Sequence, residues 1–531
     1  MSSLVGTLAL VRLALRRDRI ILPVFAVVLV ALVAASASAT AALYPTSVSR
    51  AEAATAVNSS TAIMAMYGPI HDVTSLGALS TFKVGMMGAI MVAILALMLV
   101  TRHTRAEEET GRLEMLGATV MGRNAPLTAA LVVAGGTSLV LGVLGALGLI
   151  AAGLPAAGSV VIGLGYTGLG AAFAGVAAFT AQLTRSSRTA NGIAGATLAI
   201  FYLLRAIGDA SAGNGLRWVS WLSPIGWWQQ ARPYAGDRWW LLFLLLGLAA
   251  ALCAAAFVLT ARRDFDSGLL PDRPGPAAAS ASLRSPLALA WRLQRGSLFV
   301  WSASFALVGL VVGGLTSSIG DFFNNPTALD FITKMGGERN ITDAFLAMEL
   351  GMTGVVSSVF GVLAVMRLRS EETSLRAEPL LSTAVGRTAW AGSHLTIALA
   401  GTAVLSMCAG LGTGVSSAVQ VGDVGQFGRV FLGALVQIPA VWVIVGIVMA
   451  AFGLVPRAIV LGWVALAGFV LLGEFGAIFQ LDQAVMDISP FAHVPRLPGA
   501  AFTATPLLWM TAVAAGLVAL GLAGFRRRDV G

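Results

Sequence analysis

The sequence predicts an all-α polytopic membrane protein built from two homologous six-span halves, and three observations carry that prediction. Hydrophobic residues fill 57% of the 531 positions and charged residues only 11%, with a mean hydropathy of +0.84. Such a composition excludes an ordinary soluble domain. Apolar runs of about 20 residues, enough to cross a hydrocarbon core of roughly 30 Å as helices, recur along the chain. A charged segment also occurs twice. Arg105-Ala-Glu-Glu-Glu-Thr-Gly-Arg112-Leu-Glu114, with Thr119 and Gly122-Arg123 after it, returns as Arg369-Ser-Glu-Glu-Thr373, followed by Arg376, Glu378, Thr383 and Gly386-Arg387. The offset is about 264 residues, and Leu222-Ser-Pro224 recurs as Ile488-Ser-Pro490 at nearly the same spacing. A period of half the chain marks a duplicated domain.

Twelve spans are expected, at approximately 20–42, 84–101, 126–152, 158–182, 190–208, 239–261, 298–318, 344–366, 389–416, 429–454, 457–478 and 506–525. Ten-residue alternating segments, the signature of a membrane barrel, are absent from the sequence. Ahead of the first span, residues 4–17 set Leu8, Val11 and Leu15 against Arg12, Arg16 and Arg17, the pattern of an amphipathic helix lying on the membrane face. Its basic cluster follows an apolar start and no small-residue cleavage site ends the next apolar stretch, so it does not read as a signal peptide. The second half opens similarly, with Leu287, Ala290 and Leu293 beside Arg292 and Arg295. The organisation is therefore a first half over 1–264, a Pro/Ala/Ser-rich cytoplasmic linker over 265–285 and a second half over 286–531.

With the N-terminus inside, 24 of the 34 basic residues fall on the cytoplasmic side. The positive-inside rule then places both termini in the cytoplasm. Arginines against anionic headgroups account for the net charge of +9, and no nucleic-acid partner is expected. Each half carries an outer loop after its first span and another after its fifth, Ser211–Arg238 and Gln480–Ala504. Trp218, Trp221, Trp227, Trp228, Trp239 and Trp240 cluster around the former as interfacial anchors, the alternative being a ligand-contacting vestibule. Gly142, Gly145, Gly148 and the run Gly163, Gly165, Gly168, Gly170 lie inside spans and read as close helix packing, not as a nucleotide loop. Cys253 and Cys408 both lie in apolar spans, and neither a disulfide framework nor a metal site is expected.

The chain has two lysines, Lys83 and Lys334, and neither follows a phosphate-binding glycine loop. It is not expected to be an enzyme by itself, nor to bind a cofactor. Energy for transport must come from ions crossing the spans or from a separate ATPase chain. The repeated acidic loops favour the second source. Each is long enough for a short cytoplasmic helix, with Glu107, Glu108, Glu109 and Arg112 charged and Leu113, Leu116 and Val120 on one face. Glu371, Glu372, Arg376 and Glu378 form the second copy, which Pro379 is expected to break. A motif kept in both halves amid differing apolar sequence points to docking. Few charges lie in or near the spans, and each is costly there. Lys83 and Glu349 hold nearly equivalent positions in the two halves, as do Arg205 and Glu474, so each couple is a candidate charge pair.

The chain resembles the fused twelve-span permeases of actinobacterial ABC exporters, a family associated with polyketide antibiotics, tetronasin resistance and multidrug efflux. The resemblance covers essentially the whole length. It rests on Leu15-Arg-Arg-Asp-Arg-Ile20, Glu108-Glu-Thr110, Trp221-Leu-Ser-Pro-Ile-Gly-Trp227, Arg232-Pro-Tyr-Ala-Gly-Asp-Arg-Trp239, Arg262-Arg-Asp264, Gly268-Leu-Leu-Pro271 and Leu293-Gln-Arg295. It implies a type V exporter domain in the bacterial inner (plasma) membrane, whose acidic loops act as coupling helices. One copy would then serve two ABC ATPase subunits, with ATP and Mg on those partners, and would extrude hydrophobic or amphipathic small molecules across the lipid bilayer. The competing class is an ion-coupled secondary multidrug transporter. That class should carry more carboxylates within the membrane.

Overall fold

The computed structural model describes residues 3–529 apart from 60, 118–119, 212–214, 265–266, 271–276, 315, 317–337 and 476–481. Contacts divide the chain into two compact units, Met1–Gly275 and Pro276–Gly531. Among the described residues all regular structure is helical.

The first unit begins with α1 (Thr7–Arg17) and α2 (Ile21–Leu43). The break between them has a local cause. Pro23 cannot donate a backbone hydrogen bond and its ring would clash with the carbonyl four residues back, so a new helix must start just before it. Two short helices, α3 (Ser47–Ser59) and α4 (Thr61–Tyr67), fill the first loop. Ser75 then caps α5 (Leu76–His103) by accepting from the Ala78 amide. The acidic loop holds α6 (Arg105–Glu109) and α7 (Arg112–Gly117). Three long helices follow, α8 (Ala125–Ala151), α9 (Ala156–Leu183) and α10 (Ser187–Ala210). Ser223 caps the short α11 (Pro224–Gln230), and α12 (Trp240–Arg262) closes the unit.

The second unit runs α13 (Pro286–Gly314), α14 (Glu338–Thr373), α15 (Glu378–Leu381), α16 (Arg387–Val421), α17 (Val424–Leu435), α18 (Ile438–Leu454), α19 (Leu461–Phe475), α20 (Gln483–Met486) and α21 (Ala504–Arg527). Here the amphipathic opening and the first span form one continuous helix, contrary to the expected match with α1 and α2. No proline stands between Leu287 and Gly314, so nothing interrupts the hydrogen-bond ladder. Eleven helices among the described residues are long and apolar enough to span a membrane, against twelve expected. The span expected over 457–478 is represented by the 15-residue α19, and its last residues lie outside those described.

Packing shows why glycine is abundant. A Cβ on Gly142 would overlap the carbonyl oxygen of Gly163, and one on Gly163 that of Gly142, so α8 and α9 approach backbone to backbone. Gly453 on α18 and Gly521 on α21 repeat the arrangement in the second unit. Large apolar side chains meanwhile face outward, among them Val132, Leu139, Val143 and Leu147 on α8, Phe243 on α12 and Phe299 on α13. An apolar exterior on long helices is the pattern that lipid demands.

Candidate functional site

In the first unit the acidic loop sits where α5, α9 and α12 end and α8 begins. Glu108 is buried at the centre of an arginine pair. Its carboxylate accepts from Arg105 Nη1 at 3.0 Å and from Arg263 Nη1 and Nη2 at 2.6 and 2.8 Å. Arg105, itself fully buried, donates further to the carbonyls of Ala181 at the end of α9 and of Ser267 beyond α12. Arg263 is the residue after α12 and also donates to Gln182 Oε1 at 2.7 Å. Leu269 and Leu270 extend the seam by donating their amides to the Gln182 and Leu183 carbonyls.

The second unit builds the same triad. Glu372 is buried between Arg369, whose Nη1 lies 3.0 Å away, and Arg528, the residue after α21, at 2.7 and 3.0 Å. A second contact is also duplicated: Arg123 donates to the Arg263 carbonyl at 2.8 Å and Arg387 to the Arg528 carbonyl at 2.6 Å. In each unit, then, the loop after one long helix is bound to the C-terminal end of the last. Bidentate guanidinium–carboxylate geometry makes these bonds strong and directional. Sequence reasoning missed Arg263 and Arg528 as partners. Their recurrence as Arg263-Asp264 and Arg528-Asp529, at nearly the offset of the loops, was the available signal.

The other loop carboxylates are also engaged. Glu107 meets Arg17 at 2.5 Å and Arg112 at 3.5 Å, tying α1 to the loop, while Glu109 accepts from the Ser187 amide and hydroxyl at the start of α10. Glu371 pairs with Arg376 at 3.0 Å and Arg367 at 3.5 Å. Beside this network a buried Asp18 pairs with His103 at 2.5 Å and Arg102 at 3.3 Å.

Three expectations about the loops need correction. The single short helix of the first copy is two pieces, because the chain reverses at Gly111 in the left-handed region (φ 71°). Leu113 in consequence turns inward and is buried, while Glu114, Met115 and Val120 face out; the side chain of Leu116 lies outside the described residues. In the second copy Leu375 takes the equivalent left-handed position (φ 56°), and Pro379 opens α15 rather than breaking a helix. Proline is tolerated in a first turn, where its missing N–H leaves no bond unmade. Leu375, Arg376 and Glu378 are exposed.

The candidate charge pairs are distributed as follows. Lys83 is exposed on α5 with Nζ 5.6 Å from the centre of the Tyr67 ring. Arg205 is fully buried on α10, with Asp209 at 3.4 Å and the Ala65 and Met66 carbonyls as its acceptors. Glu349 is partly buried on α14, and the side chain of Glu474 on α19 lies outside the described residues.

A helical bundle with an apolar exterior and polar networks gathered at the helix ends defines a multi-pass membrane protein. Residues 9–259 and 283–526 match the family described as the C-terminal domain of the multidrug efflux system permease Rv1217c, one range in each unit. The chain belongs to that family of permeases. Over 532 residues it is 45% identical to the multidrug efflux system permease protein Rv1217c of Mycobacterium tuberculosis (strain ATCC 25618 / H37Rv), covering 100% of this chain and 96% of that protein.

Proposed function

We propose that this chain is the membrane-spanning subunit of an ATP-driven exporter of hydrophobic or amphipathic compounds, energised by separate ABC ATPase subunits. The observation that carries the reading is the duplicated loop platform. Each unit rigidly ties one exposed acidic turn to the end of its last long helix through a buried Arg–Glu–Arg triad. Such a platform transmits a push at the loop to a membrane helix. Glu108 and Glu372 act from inside as positioning residues, and the surfaces offered to an ATPase are Arg112, Glu114, Met115 and Val120 in one unit and Leu375, Arg376 and Glu378 in the other. Two platforms accommodate two ATPase copies, which bring ATP and Mg. The platform end lies on the cytoplasmic side of the plasma membrane, together with both termini, as the arginine distribution favours. The name of the relative from Mycobacterium tuberculosis supports drug-like cargo.

Reconstitution tests this directly. The permease alone should hydrolyse no ATP, and a purified complex should contain two ATPase chains per permease. Export by the permease alone, driven by a proton gradient, would instead establish the ion-coupled class.

A further inference from the structure

At the end of α5 remote from the acidic loop, about 42 Å away along a helix of 28 residues, the connection from α11 to α12 is unusually strained. Arg232 (φ 50°), Tyr234 (φ 60°) and Asp237 (φ 38°) all adopt left-handed backbone, which side chains with a Cβ disfavour. Strain of this kind persists only where surrounding contacts enforce it, and it clusters at ligand sites. The contacts here are explicit. The Tyr234 amide donates to Asp237 Oδ1 at 2.8 Å, its hydroxyl meets Ser159 Oγ at 2.8 Å, and its ring lies against Gly77 and Gly158, where any Cβ would overlap it.

The result is a cleft of about 470 Å³, its open mouth included, lined by Tyr67, Ile70, His71, Phe82, Gln229 and Arg232. Gln229 Nε2 and Thr81 Oγ1 donate to the Tyr67 and Gly77 carbonyls, but other polar atoms of the cleft are unsatisfied. Arg232 Nε, His71 Nε2 and Gln229 Oε1 are buried without a hydrogen-bond partner, and Gln229 as a whole is only 8% exposed. Buried polar atoms are rarely left so, and each needs an explanation. Three arginines also bear on the cleft. The charges of Arg232, Arg217 and Arg238 all reach His71 and that of Arg217 also reaches Asp209, but among the described residues none of the three lies within ion-pair distance of a carboxylate. Asp237 and Asp72 keep their negative charges, but among the described residues they hydrogen-bond to the Tyr234 amide and to the amide and hydroxyl of Thr74, not to a guanidinium. The Arg232 guanidinium and the His71 ring nitrogen in the cleft wall, with two further arginines nearby, suit an oxyanion. The orphaned Gln229 carbonyl oxygen calls in addition for a hydroxyl on the ligand, which a phosphate P–OH can supply, and the Tyr67, Ile70 and Phe82 walls for an apolar segment beside the head.

We propose that this cleft binds the phosphate head of an amphipathic molecule, with Arg232 as the principal ligand and Arg217 and Arg238 supplying the field. This goes beyond the exporter reading and does not depend on it. The test uses the full chain in neutral phosphatidylcholine nanodiscs, with dodecyl phosphate as probe and binding followed by tryptophan fluorescence. The parent should bind dodecyl phosphate, and Arg232→Gln should weaken binding about tenfold or more, as for loss of one charged hydrogen bond. Arg217→Gln, at an exposed position, should weaken it by less. If Arg232→Gln fails to fold, the double variant R217Q/R238Q carries the test. Competition by phosphatidylglycerol added to the nanodisc identifies a lipid headgroup as the source of the phosphate, and competition by inorganic phosphate alone identifies a water-borne one. Equal affinity in parent and variants, or dodecyltrimethylammonium binding as tightly as dodecyl phosphate, overturns the proposal.

Discussion

The two triads hold the same ions at similar distances in unlike surroundings. In the first unit Arg105 is shielded completely and Arg263 is 12% exposed, and Arg105 leans on backbone carbonyls. In the second, Arg369 and Arg528 are 29% and 17% exposed, and Arg528 stacks on Phe452 and Phe525, 4.9 and 5.1 Å from their ring centres. The charge pattern outlived divergence of the packing around it. Its role is therefore in the connection it makes, loop to last helix, and not in one particular interior. The energetic weight of that connection still depends on the surroundings, because a buried unpaired guanidinium is penalised far more than one that water can reach.

The largest expected effect follows from that asymmetry. Glu108→Gln should destabilise the protein by about 3–5 kcal/mol, since two shielded guanidiniums lose their counter-ion. Glu372→Gln should cost clearly less, about 1–3 kcal/mol, as solvent relieves Arg369 and Arg528. Thermal unfolding in detergent orders the two variants, and equal losses would break the comparison. Glycine packing provides a check on whether the units otherwise behave alike. Gly142→Val and Gly453→Val should each cost about 1–3 kcal/mol by forcing the helix pairs apart. A unit that accepts valine without loss has looser packing than its geometry indicates.

Two smaller effects sharpen the picture. Burial, reinforced by the Arg232, Arg217 and Arg238 charges, lowers His71 from its usual 6.5 to about 4. The unfolded chain then binds the extra proton first, so stability falls as pH drops from about 6.5 towards 4 and levels below that window. His71→Gln should flatten the slope in this range relative to the parent. The smallest effect is at the loop turn. Leu375→Gly should gain about 1 kcal/mol by removing a left-handed leucine, while Gly111→Leu should lose about as much. Opposite signs at equivalent positions would show that both turns share one backbone geometry.

Much of the fold is legible in the amino-acid sequence alone. Apolar length and the duplicated loop point to the helices and the two-unit plan, and the glycine runs prove to be packing sites. The partners of the loop carboxylates are not legible from local pattern, because Arg263 and Arg528 stand 155 and 156 residues from Glu108 and Glu372. Leu113 and Val120 are wrongly placed on one face by extending a helical period past Gly117, where α7 ends. The absence of a separate interfacial helix at the start of the second unit turns on a single residue, since only the first half has a proline at Pro23. The cleft at the other end is hidden for a related reason. Its arginines come from residues 217–238, but its walls combine residues 67–82, Ile162 and residues 228–235.

The central claim is that the recurring glutamate is an internal clamp, and a double-mutant cycle on Glu108 and Arg263 tests it most directly. Glu108→Gln, Arg263→Gln and the double variant are compared by unfolding free energy, with Glu372 and Arg528 treated in parallel. The account predicts that each double variant loses less than the sum of its singles, with a coupling of about 1–3 kcal/mol that is larger in the first unit. Additive losses in both units would mean that the carboxylates do not act through these arginines, and the clamp would be contradicted.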